Sequence, residues 1–296
     1  MVAPLLLVLP LAVLLTFVLA RSRQIRLVAT QNPGLANLDG TTIRGRWLGL
    51  VLGAALCAAV FATDRERGFY LAPTLLALGI ATALTIAELA VWRAAQTPGI
   101  AGLEDRSGQR YLPRALLLWT ALVAVGLVAL LIWCADHQNT GWHGSAPGTA
   151  WYWESPDGLN SSAGSPFPGS HYSVPLVIAL VVLSAITSIG AIAARRRPRN
   201  GSDPVIVAVD DDARRRSSTA LAACLSGAVF GSALVCLFTA SMGIGFFAGN
   251  HDDPMNHVAN QWAQAVAIWG CLPLLALAAW AAAIILVPGS PRRVGP

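Results

Sequence analysis

Arg114-Ala-Leu-Leu-Leu-Trp-Thr-Ala-Leu-Val-Ala-Val-Gly-Leu-Val-Ala-Leu-Leu-Ile-Trp-Cys-Ala-Asp136 has an arginine at one end, an aspartate at the other and no charge between them. Its apolar part, Ala115–Cys134, has about the ~20 residues that a helix needs to cross a ~30 Å hydrocarbon core. It lacks the apolar–polar alternation of a barrel strand, which leaves the helix as the way to satisfy every backbone group inside lipid. Six further runs read the same way: Val2–Ala20, Trp47–Thr63, Tyr70–Trp92, Val174–Ala194, Thr219–Phe247 and Trp262–Val287. The expected fold is all-α, a polytopic membrane bundle of seven transmembrane helices forming a single integral membrane domain over residues 1–296. Composition agrees: 55% of the residues are hydrophobic and 12% charged, against roughly a quarter charged in soluble domains.

The charge that sits at the start of Ala115–Cys134 belongs to a pattern. All twenty basic residues are arginine, and eighteen of them fall in the segments after the first, third, fifth and seventh runs. With seven acids, that side carries +11; the other side has Arg65 and Arg67 against seven acids, or −5, and Glu88 inside a span completes the +5 of the chain. Arginine-rich loops stay in the cytoplasm, so the N-terminus is expected outside and the C-terminus inside. The net basicity predicts contact with anionic lipid headgroups at the cytoplasmic face, about 1 kcal/mol per surface arginine. No aromatic-interleaved basic domain is present, which argues against nucleic acid. The first run has its arginines (Arg21, Arg23, Arg26) after the apolar core rather than before it, the reverse of a signal peptide, and is expected to be an N-out anchor. An absence of lysine beside abundant Ala, Leu, Val, Gly and Arg suggests a GC-rich bacterial genome and so the bacterial plasma membrane.

After the anchor the chain is expected to form three helical hairpins, with hairpin repeats as a working hypothesis. Two outer turns end alike, Tyr70-Leu-Ala-Pro73 and Tyr172-Ser-Val-Pro175, and place proline where a first helical turn tolerates it. The pairs Gly49/Gly53 and Gly227/Gly231 have the spacing that lets membrane helices approach closely. On the inner side, residues 195–218 form a stub. Asp203-Pro204 reads as a helix start, and Asp210, Asp211 and Asp212 stand four residues before Arg214, Arg215 and Arg216, the favourable order for ion pairs on a helix. The stub is expected either to dock a cytosolic partner or to serve as a solvated collar. The outer loop 135–173 holds Trp142, Trp151, Tyr152, Trp153, Phe167 and Tyr172, enough aromatics to predict packing on the outer face.

Three groups of residues are candidates for chemistry. All five histidines (His137, His143, His171, His251 and His257) fall in two outer loops with Asp136, Asp252 and Asp253; a metal site would use His137, His143, His251, His257, Asp252 and Asp253. Glu88 is the one ionisable residue well inside a span. An intramembrane acid suggests a proton or ion relay, but Trp92 and Arg93 one turn on favour an interfacial role, reaching the surface or pairing with an arginine. Gly243, Gly245 and Gly249 are expected to break the sixth helix, and with Glu88 would line a transport pathway. The five cysteines lie within or at the ends of spans without a CxxC pair, and read as small apolar side chains.

Several activities lack their residues. No histidine lies inside a span to hold haem, no lysine exists for a Schiff base, and neither a Walker A loop nor the usual hydrolase motifs are present. No enzymatic activity and no cofactor are expected. The strings Gly102-Leu-Glu-Asp-Arg-Ser-Gly-Gln-Arg-Tyr-Leu-Pro-Arg114 and Pro168-Gly-Ser-His-Tyr-Ser-Val-Pro175 resemble those of actinobacterial multi-pass integral membrane proteins, over most of the chain from the second span onward. That resemblance implies a bacterial membrane protein and brings no activity or catalytic residues. The leading functional expectation is a non-enzymatic accessory or transport-associated subunit working with a cytosolic or membrane protein partner. The alternatives are a small-solute or ion transporter using Glu88 and the broken helix, and an envelope sensor binding ligand or metal through the outer loops.

Overall fold

The computed structural model describes residues 33–94, 113–141, 146–154, 161–196, 204–248 and 254–286. Among them run six helices: α1 (Pro33–Thr63), α2 (Arg65–Ala94), α3 (Arg114–Asp136), α4 (Ser170–Arg196), α5 (Pro204–Ala248) and α6 (Pro254–Leu286). Each contains a stretch long and apolar enough to cross a membrane. The run Val2–Ala20 lies outside the described residues, so the helices long and apolar enough to cross number six among the described residues. Between α3 and α4 the chain also makes a two-stranded antiparallel hairpin, β1 (Trp151–Glu154) with β2 (Ser161–Gly164). Among the described residues the fold is otherwise all-helical, as expected; Trp-Tyr-Trp is β-favouring sequence and lies in the connection, clear of the apolar spans.

Helix starts differ from the apolar runs for local reasons. The reversal from α1 to α2 is a single residue, Asp64, whose carboxylate Oδ1 accepts from the Arg67 backbone N–H at 2.9 Å. That N-cap satisfies a first-turn donor and starts α2 well before Pro73, which therefore lies inside the helix, as Pro175 does in α4. The expected first-turn prolines are corrected accordingly. Pro204 does open a helix, but α5 then continues without a break for 45 residues, fusing stub and span.

Packing separates inner helices from outer ones. In the apolar windows of α2 and α5, 56% and 61% of residues are buried, against 11% in α6 and 22–28% in α1, α3 and α4. The exposed side chains of the outer helices are large and apolar, among them Trp47, Leu118, Val125, Val181, Ile189, Trp262 and Trp269, as a lipid-facing surface requires. α5 packs on α2, α3, α4 and α6, and α2 packs on α1, α4 and α5. The main core lies between these helices around Ala81, Leu84, Leu116, Leu183, Leu221, Ala228 and Phe230.

The hairpin expectation needs a correction. α1 with α2 and α5 with α6 are extensive hairpins, but α3 and α4 barely touch, because α5 lies between them. The long connection spans that separation, where a short turn would have forced the two to be neighbours. The two glycine pairs also differ. A Cβ on Gly49 would stand 2.5 Å from the Ile80 Cα, and one on Gly53 2.8 Å from the Leu76 Cα, with Gly79 of α2 in the same crossing. Here two backbones meet, as small-residue spacing permits. Gly231 instead makes room for the Pro73 ring at 2.7 Å, and Gly227 meets Ala281 at an ordinary 3.6 Å.

Candidate functional site

The arginine segments gather at one end of the bundle. Arg214, nearly fully buried, donates Nε and Nη2 to Asp210 Oδ2 at 2.8 and 2.6 Å, and Nη1 to the Arg195 carbonyl at 3.0 Å. Arg46 of α1 donates Nη1 to the Ile285 carbonyl at 2.9 Å. Both carbonyls are in the last described turn of a helix, α4 and α6, where the guanidinium groups give them a donor and complement the negative end of the helix dipole. Arg216 pairs with Asp212, so two of the three acid–base pairs expected on the stub form at i,i+4. Among the described residues of this collar, Arg214 is folded into the bundle instead of solvated. Arg44, Arg114, Arg196 and Arg215 remain exposed around it.

Glu88 belongs to this end but does not reach the surface. Its side chain is 3% exposed, and Oε1 accepts from the Ser217 hydroxyl at 2.5 Å. The surface-reaching half of the interfacial expectation is corrected: α2 turns Glu88 towards α5. Hydroxyl contacts continue the polar seam along α5, with Ser226 against Thr120 at 2.7 Å and Ser232 against Thr74 at 3.0 Å. Thr85 donates to the Ile186 carbonyl at 3.2 Å. Thr120 and Ser226 also lie within hydrogen-bond distance of the Leu116 and Ala222 carbonyls of their own helices, so one hydroxyl donates across the pair and the other to its own helix. Such pairs hold helices together in a setting where apolar contact gives no preference over lipid.

The opposite end is closed by an aromatic lid. Asn139 organises it: Oδ1 accepts from the N–H groups of Thr149 and Ala150, each at 3.1 Å, and Nδ2 donates to the Ala146 carbonyl at 3.2 Å. Gln138 Oε1 accepts from the Ser170 N–H at 2.6 Å and so ties the lid to the start of α4. Gly148 adopts φ +76°, where a Cβ would also strike Ser170 Oγ at 2.5 Å. The fold then lays Trp151 on Phe246 with centroids 4.4 Å apart, and buries Phe167 beside Trp133. Among the described residues, Trp151 and Phe167 of this connection pack on the helix ends, as expected.

The expected glycine break is contradicted by this contact. α5 remains helical through Gly243 and Gly245 to Ala248, and Gly243 leaves space for the Phe167 ring, which a Cβ would approach to 3.0 Å. Its role is to seat the lid. Gly249 lies outside the described residues.

The two histidines whose side chains are described, His137 and His171, lie apart. His137 bonds through Nδ1 to the Trp133 carbonyl at 2.8 Å, stacks on the Trp133 ring and meets the Phe247 edge, each with centroids 4.6 Å apart. Since a carbonyl only accepts, Nδ1 carries the proton. His171 lies in a different cluster with Asp64 and Arg67. His143, His251, Asp252 and Asp253 lie outside the described residues, as does the side chain of His257 on α6. Among the described residues no three His, Cys, Asp or Glu side chains gather as a metal site would require.

Sequence reading missed the cluster at the α1–α2 reversal. Tyr172 donates its hydroxyl to Glu66 and stacks on Tyr70 with centroids 4.5 Å apart. Asp64 accepts from the Arg67 N–H and faces Arg67 Nε at 3.6 Å and His171 Nε2 at 3.5 Å. The Arg67 N–H, then His171 and the Arg67 charge, hold the Asp64 carboxyl below its usual range. On the lid, the hydrogen bond from Tyr152 to Glu154 raises the phenol. The signal available in the sequence was Asp64 three residues before Arg67, an N-cap spacing overlooked because the apolar run begins later.

Comparison with family models, with curated proteins and with solved structures finds no match.

Proposed function

We propose that this chain is a non-enzymatic, membrane-embedded accessory or transport-associated subunit, with its arginine-rich end in the cytoplasm of a bacterial cell and the aromatic lid outside. The observation that carries the reading is α5. At 1.5 Å per residue its 45 residues extend about 67 Å, more than twice a ~30 Å hydrocarbon core. One rigid element therefore links the lid contacts of Phe246 and Phe247 to a charged stub beyond the apolar span. Internal ion pairs hold that stub, while Arg215 points out, a surface suited to a protein partner. The exposed arginines around it suit anionic headgroups.

A transporter is the second reading, favoured by the burial of Glu88 in the seam between α2 and α5. The unbroken α5 removes the other half of that reading. Two measurements decide. Single-cysteine variants Ala146→Cys and Arg215→Cys, probed with an impermeant maleimide in intact cells, should label from outside and only after lysis, respectively. Purification from native membranes should retain a stoichiometric protein partner that Arg215→Glu releases. Solute uptake by the chain alone in liposomes, abolished by Glu88→Gln, would replace the subunit reading with the transporter.

A further inference from the structure

We propose that His171 is a proton-operated switch that exchanges Arg67 for Asp64 as its partner, at the junction of the α1–α2 reversal with the first turn of α4. His171 Nε2 lies 3.0 Å from Arg67 Nη2 and 3.5 Å from Asp64 Oδ2, and Nδ1 is 3.5 Å from the same Nη2. A guanidinium has only donors, so Nε2 accepts from Arg67 and the neutral ring carries its proton on Nδ1. Protonating Nε2 removes that lone pair and sets two cations against each other. Among the described residues, the carboxylate oxygen placed to accept the new N–H is Asp64 Oδ2 at 3.5 Å, while Oδ1 takes the Arg67 backbone N–H at 2.9 Å.

Every element packed here contributes a sign. From the reversal come Asp64 and, on the first turn of α2, Arg67; Glu66 beside them is engaged by the Tyr172 hydroxyl from α4. From α4 itself come Tyr172, whose ring meets the imidazole edge-on at 4.9 Å, and the positive end of the helix dipole, which opposes a cation on His171. Gln138 and Ser170 are the polar neighbours from the lid and are uncharged. Arg67 and the dipole therefore favour the neutral ring and Asp64 favours the charged one. The groups are about one-third exposed, so protons and water reach them. Imidazole changes charge between about pH 5 and 8, and acidification releases the Arg67 side chain from α4 and bridges α4 to the reversal through Asp64. The switch needs neither a partner nor a particular orientation, and so stands apart from the subunit reading.

The full chain, labelled with ¹⁵N-histidine and held in detergent micelles, tests this directly, with the His171 signals assigned by their loss in His171→Gln. At high pH the ring should be the Nδ1–H tautomer. The titration midpoint should fall by about half a unit or more in Asp64→Asn and rise by as much in Arg67→Gln, since a neighbouring carboxylate favours imidazolium and a guanidinium opposes it. An Nε2–H tautomer in the wild-type chain overturns the proposal whether or not either variant folds. Midpoints that fail to move in opposite directions overturn it as well.

Discussion

At the arginine-rich end, the last-turn carbonyls of α4 and α6 receive guanidinium donors from other helices, Arg214 of α5 and Arg46 of α1. At the lid end, the Trp133 carbonyl in the last turn of α3 receives its donor from His137, four residues on. A carbonyl in the last described turn of a helix receives its side-chain donor across the bundle in one place and locally in the other. A long-range cap ties two helices together; a local cap leaves the helix end without a tie. The lid end therefore depends on its aromatics. Phe167, Trp151, Phe246 and Phe247 make the contacts between elements that arginines make at the other end.

If that division holds, the largest effect should come from the lid core. Phe167→Ala removes a fully buried ring and is expected to destabilise by about 3–5 kcal/mol, read as a lower midpoint in denaturant titration of the micellar protein. Proteolysis of the 146–169 region should increase while the arginine-rich end stays protected. Arg214→Met removes charge-assisted hydrogen bonds at the other end and is expected to cost about 2–3 kcal/mol. Hydrogen exchange should then quicken in the last turn of α4 and leave the lid unchanged. Parallel loss at both ends in either variant would break the comparison.

Smaller changes sharpen it. Gly148→Ala must adopt a left-handed backbone conformation and meets Ser170 Oγ, with an expected cost of about 1–3 kcal/mol and enhanced cleavage confined to the lid. The smallest effect concerns acid. Asp64 has a folded-state value held below its unfolded one, the Arg67 N–H being the first cause. Its stabilisation is therefore complete above the unfolded value of about 3.9 and is lost as the pH falls through the folded value. Amide exchange in the first turn of α2 should rise below about pH 4, and Asp64→Asn should remove that rise.

Much of the frame was legible because lipid imposes a simple rule. Runs of uncharged residues near twenty long became helices, and the boundaries of Ala115–Cys134 and Thr219–Phe247 lie within a few residues of C-terminal helix ends at Asp136 and Ala248. The stub pairs were legible because i,i+4 spacing is a property of any helix. Hydropathy did not reveal where α2 and α5 begin, since Asp64 starts α2 by capping chemistry and α5 opens at Pro204, while the apolar runs begin later. The lid was harder. Asn139 is one polar residue among many in the connection, and its role depends on the backbone N–H groups of Thr149 and Ala150 being brought to it.

By itself the sequence determined the class of this protein, six described spans of it, and the gathering of arginines at one end, because hydration of charge and length of apolar run act locally. Tertiary structure decided which helices lie inside, that α5 separates α3 from α4, that Gly243 seats a ring instead of breaking a helix, and that Glu88 faces Ser217. Those outcomes depend on which surfaces meet. In a chain whose spans are mostly Ala, Leu, Val and Gly, a few hydroxyls and glycines select the pairing, and their partners lie up to 158 positions away.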